Sequence, residues 1–110
     1  MQNEPLLQYY GERLLAPGEF PGFGETDPRV IAARVYVIRN SMTMLDNDHF
    51  QYEAGFQPEE AWLSNREILK NVLNGPIGRY VFEEGRETER ASFRALCEEL
   101  IRELETESAN

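Results

Sequence analysis

Residues 27–56 read DPRVIAARVYVIRNSMTMLDNDHFQYEAGF, and the fold turns on how apolar side chains recur along them. Ile31, Val35, Ile38, Met42, Leu45, His49, Tyr52 and Phe56 alternate in steps of four and three, which holds a single seam on one side of an α-helix. Asp27 can accept from the free N–H groups of a first turn, and Pro28 brings its preset φ to the first helical position. Gly55 supplies the left-handed stop. A long helix is therefore predicted from Asp27-Pro28 to Gly55, with His49 on its packed face.

Patterns on either side are also helical. Leu6, Leu7, Tyr10 and Leu14 predict a short helix over 4–15, after which APGEFPGFGETD at 16–27 concentrates proline and glycine and reads as a loop. Phe20 and Phe23 either pin that loop to the core or form a recognition surface. Downstream, Pro58, Glu59 and Glu60 open a helix that should end near Leu73, with an apolar stripe of Trp62, Ile68 or Leu69, and Val72. NGP at 74–76 stops it, and a short helix over 77–84 closes at Gly85. Thr88 is the expected cap of a last helix whose apolar face is Phe93, Leu96, Cys97, Leu100, Ile101 and Leu104. Residues 106–110 should fray. Short connections favour antiparallel neighbours, so the expected architecture is an all-α bundle of four to five helices, one of them long and central, in a single domain over 1–110.

One constellation carries chemistry. Asp46, His49 and Glu53 lie three and four residues apart, so two carboxylates and the only histidine share one edge of the long helix. A carboxylate and a histidine at this spacing can ligate metal or exchange protons, but two-metal bundles need two such elements and this chain has one histidine. The run from Asp46 fails as a calcium loop because its sixth position lacks glycine and its twelfth is Gln57. Cys97 and Ser92 have no nucleophile signature around them. The reading preferred from sequence is a structural polar cluster, with no cofactor and no metal, Asp48 solvated on the far side, and Asp46, His49 and Glu53 kept as catalytic candidates. Trp62 and Tyr80 are core aromatics or interface anchors. The arginines Arg90, Arg94 and Arg102 are expected to pair with acidic residues of the last helix.

Composition limits the partners. With 11 Lys+Arg against 20 Asp+Glu, the net charge is -9, which repels phosphate backbones and anionic lipid. A single cysteine excludes an intrachain disulfide and suits a reducing, cytoplasmic setting. No run approaches the roughly 20 apolar residues of a membrane helix, and the first residues lack signal-peptide character.

The strings LDNDHFQYEAGF, EEAW and GPIGRYVFEEGRETERASFRALCEEL resemble a group of uncharacterised bacterial helical domains that commonly follow a membrane helix. Asp46, Asn47, Gln51, Tyr52, Gly55, Trp62, Pro76, Tyr80 and Phe93 fall in that group's order over residues 36–104. This chain shows no membrane helix, and Tyr80 stands where tryptophan is more usual. The resemblance implies a helical fold and carries no catalytic residues over. The functional expectation is a protein–protein interaction or regulatory module that takes a protein partner or forms a homo-oligomer. Its rivals are a metal-dependent or acid/base enzyme centred on His49, and an acidic inhibitor that mimics nucleic acid.

Overall fold

The computed structural model describes residues 27–109. They are all-α: α1 spans Pro28–Glu53, α2 Glu59–Asn74, α3 Pro76–Gly85 and α4 Ala91–Ala109, with a 3-10 turn at Arg86–Thr88. No strand occurs among the described residues. The expected 4–15 helix and the 16–26 part of the loop, with Phe20 and Phe23, lie outside them. By its contacts the chain is divided into two units, Met1–Val37 and Ile38–Asn110.

The ends of α1 follow from its terminal residues. The Arg29 N–H donates to Asp27 Oδ1 at 2.9 Å and the Ile31 N–H to the Asp27 carbonyl at 3.1 Å, which satisfies donors that the first turn leaves free. At the other end Gly55 takes φ +86°. Its N–H reaches the Tyr52 carbonyl at 3.0 Å, and that of Phe56 reaches Gln51 at 2.9 Å, the paired bonds of a Schellman stop. That reversal takes Phe56 off the seam, and it is 81% exposed. Ile31 and Val35 are buried in the first unit, and Met42, Leu45 and His49 in the second; Ile38 and Tyr52 are half-buried.

In the second unit α2 packs on both α3 and α4. Leu69 is fully buried while Ile68 is 51% exposed, which settles the stripe of α2 on Trp62, Leu69 and Leu73. Phe82 of α3 and Phe93, Cys97 and Leu100 of α4 complete a closed core. Ion pairs tie α2 to α4 along the rim: Arg66 Nη2 to Glu103 Oε2 at 2.7 Å, and Lys70 Nζ to Glu103 and Glu107 at 3.2 and 2.6 Å. These bonds, led by Arg66, hold the Glu103 carboxyl below the ordinary carboxylate range against the opposing effect of desolvation.

Several local expectations change. Thr88 ends the 3-10 turn, donating its hydroxyl to the Gly85 carbonyl at 3.0 Å, and α4 begins only at Ala91. Thr88 is therefore too early to cap that helix. α4 continues to Ala109, through the segment that composition assigned to a tail. Asp48 is half-buried and accepts from Asn65 Nδ2 of α2 at 3.3 Å.

The α2–α3 corner depends on a missing side chain. Gly75 has an ordinary φ of -93° and Pro76 opens α3, so the turn itself uses no left-handed residue. Gly78 is different: a Cβ there would lie 1.8 Å from the Val72 carbonyl oxygen and 2.6 Å from its carbon. At Gly75 the nearest atom would be 3.7 Å away. Urea unfolding should therefore separate the two glycines. Gly75→Ala is expected to cost no more than about 1 kcal/mol, and Gly78→Ala about 3 kcal/mol through overpacking against backbone. Equal midpoints for the two variants would remove this close approach as a constraint.

Candidate functional site

Asp46, His49 and Glu53 do converge, and what they converge on is Arg90. This arginine stands just before α4, so its side chain runs across the junction to α1 rather than along its own helix. Its Nε donates to Asp46 Oδ1 at 2.8 Å. Nη1 donates to Glu53 Oε1 at 3.2 Å and to Ser92 Oγ at 2.9 Å. Nη2 donates to the Asp46 carbonyl at 3.1 Å and meets His49 Nδ1 at 3.3 Å. A guanidinium has five N–H donors in a fixed fork, and each of these five contacts can take one. The Ser92 hydroxyl donates a hydrogen bond to Glu53 Oε1 at 2.9 Å, and the face of Phe50 lies 5.4 Å from the Arg90 charge, within cation–π range.

The arrangement fixes the histidine. Arginine can only donate, so His49 Nδ1 must accept and the ring proton sits on Nε2. Around the imidazole lie Trp62 at 4.9 Å and Phe93 at 6.1 Å between ring centroids. Trp62 also stacks on Tyr52 at 5.7 Å, so a single indole from α2 spans two rings one turn apart on α1. Burial under these rings is the main cause that lowers the His49 pKa from 6.5, and Arg90 adds to it; Glu53 and Asp46 oppose. For Glu53, burial pushes the pKa up, but the hydrogen bonds from Ser92 and Arg90 outweigh it and the net shift is downward. Glu89 moves upward through desolvation and then the charge of Asp46.

This geometry bears on the chemistry weighed from sequence. Arg90 already supplies a cation at the centre of the acidic pair and the imidazole. Among the described residues no group of three or more His, Cys, Asp or Glu side chains is arranged to hold a metal ion. Cys97 is fully buried, and desolvation followed by the charge of Glu89 pushes its thiol up to about 12, so at neutral pH it holds its proton and is a poor nucleophile. Ser92 bonds to Arg90 and Glu53, not to His49. Trp62 is 4% exposed and forms part of the core. Tyr80 is half-buried and its hydroxyl donates to Glu84 Oε1.

Sequence reasoning missed Arg90 because it assigned that residue to the surface of the last helix. Beside Ser92, its partners are instead 37 to 44 positions away on α1. A signal did exist: Arg90 sits between the end of one helical pattern and the start of the next, where a long side chain is free to leave the helix surface. No family model, curated protein or solved structure matches the chain. No helix among the described residues is long and apolar enough to cross a membrane.

The site makes two expectations measurable. Arg90→Met should lower stability by about 2 kcal/mol in urea, since it leaves charged and buried acceptors without their donor; the guanidinium is 33% exposed, so water softens the loss. Arg90→Lys should recover less than half, because an ammonium has three donors and no planar fork.

The second expectation concerns pH. His49 has a folded pKa below its unfolded value of 6.5, so the unfolded chain binds more protons in the window between them. The stability from neutral His49 is fully present above pH 6.5 and is lost as pH falls toward the folded value. NMR titration of the imidazole should give a midpoint below 6.5; a midpoint at or above it would contradict the burial and the contact with Arg90.

Proposed function

We propose that the chain is a protein–protein interaction or regulatory module that binds a protein partner or a second copy of itself. The observation that supports this most is a strip on the outward face of α1 within the second unit. Asn40, Thr43, Met44, Asn47, Phe50, Gln51 and Ala54 are all exposed, and none is charged. In a chain with 28% charged residues, that is an unusual run of neutral surface. Met44 is 67% and Phe50 52% exposed, and exposed apolar side chains rimmed by polar ones suit an interface. By contrast, the residues kept as catalytic candidates, Asp46, His49 and Glu53, are all bonded to Arg90.

Within this reading α1 is the long central helix of a bundle of four to five, and the likeness to bacterial helical domains over residues 36–104 belongs to the same proposal. So does a cytoplasmic setting, which the lone buried thiol of Cys97 suits.

The experiment compares wild type with Met44→Lys/Asn47→Lys in light scattering and in affinity capture from a bacterial lysate. Self-association or a stoichiometric partner is expected for wild type, with affinity reduced at least about tenfold in the variant and an unchanged melting curve. A wild-type monomer with no captured partner, or binding indifferent to both lysines, would sink the reading.

A further inference from the structure

Four of the five acceptors around Arg90 are oxygens: those of the Asp46 carboxylate and carbonyl, the Glu53 carboxylate and the Ser92 hydroxyl. The fifth, His49 Nδ1, accepts only while it lacks a proton. We propose that His49 is a proton-operated release for Arg90, so that the junction between α1 and the start of α4 is a latch closed by the neutral imidazole and opened by the imidazolium. This inference stands apart from the binding role proposed above.

The contacts say what a proton on Nδ1 would do. That nitrogen becomes a donor facing the Arg90 Nη2 donor at 3.3 Å, and two cations oppose each other. The nearest carboxylate oxygen to Nδ1 is Glu53 Oε1 at 3.7 Å, one helical turn along α1. That oxygen already receives Arg90 and Ser92, so the protonated ring competes for it. The partners exchange: Glu53 moves to His49, and Arg90, left with Asp46 and Ser92, loses two of its five ties, so the partly exposed guanidinium opens to water more often.

Other charged groups near the ring set the balance. Asp46 and Glu53 of α1 favour the imidazolium, and Arg90 opposes it. Glu89 lies near Asp46 and Arg90. Cys97 of α4 stays protonated throughout because its thiol is pushed up to about 12. From α2 comes the Trp62 ring, and from α4 the Phe93 ring; both restrict water. The opening is local, since the ion pairs of Arg66 and Lys70 with Glu103 and Glu107 hold the far part of α4 to α2 without involving His49.

The test follows the His49 ring nitrogens and the Arg90 Nε–H by NMR in one sample of the full chain, from about pH 8 to about pH 5, a range that brackets an ordinary histidine. The latch predicts that the protection factor of the Arg90 Nε–H falls at least tenfold with the same midpoint as His49, while the backbone amides of Leu69 and Leu100 stay protected. In His49→Gln, which cannot take up the proton, Arg90 protection should show no step. The proposal is overturned if His49 titrates while Arg90 stays protected, if the two midpoints differ, if the glutamine variant shows the same step, or if the whole chain unfolds before His49 charges. Should that variant not fold, coincidence or separation of the two wild-type midpoints decides alone.

Discussion

A guanidinium that reaches across the start of one helix to the flank of another governs the arrangement of this protein's polar interior. Arg90 draws its acceptors from both sides of that junction, with Asp46, His49 and Glu53 on α1 and Ser92 at the head of α4. Each acceptor alone is a weak tie, because a partly exposed ion pair is worth little after desolvation and side-chain entropy. A planar fork differs, since ordering one side chain secures five bonds in a single geometry. The aromatic shell depends on the same placement. Trp62 lies against both the imidazole that Arg90 contacts and the Tyr52 ring.

Most of the helical layout was legible in the sequence for a local reason. Asp27-Pro28, Gly55, Pro58 and the Asn74–Pro76 corner all act on the backbone within a few residues of themselves, so their effect can be read without knowing what packs against them. The seam of α1 was legible because periodicity is also local, and it failed where the chain left the helix, at Phe56. Choosing between Ile68 and Leu69 needed the direction from which α3 and α4 cover α2, which no spacing within α2 contains. Thr88 misled for a related reason. A hydroxyl near a helix start can accept from the helix or donate backwards, and the 3-10 turn over Arg86–Thr88 took it backwards.

The candidate site was half legible. Spacing alone brings Asp46, His49 and Glu53 to one edge of α1, and the structure keeps them together. What spacing could not supply was the partner. Arg90 and Asp46 are 44 positions apart, and local rules assign an arginine near a helix to that helix. Asp48 was assigned to solvent by the same shortcut, and Asn65 of α2 receives it instead. Pairings made across the core are invisible to rules built on one helix at a time.

That gap explains why the same three residues suit two different chemistries on paper. Two carboxylates and an imidazole on one helical edge concentrate negative charge and lone pairs in a small volume, and such a volume stays stable only if a cation enters it. The spacing thus announces that positive charge will be held, but not whether it arrives as a metal ion or as a side chain. A metal would leave Arg90 to be placed elsewhere, and would need lone pairs that are now engaged: His49 Nδ1 and Asp46 Oδ1 are both bonded to the guanidinium. An acid/base role would have to run through Nε2, since Nδ1 is bonded to Arg90. With the cation built into the chain, the cluster ties the start of α4 to α1, and in the proposed latch the imidazole is the acceptor through which solvent acidity acts on that joint.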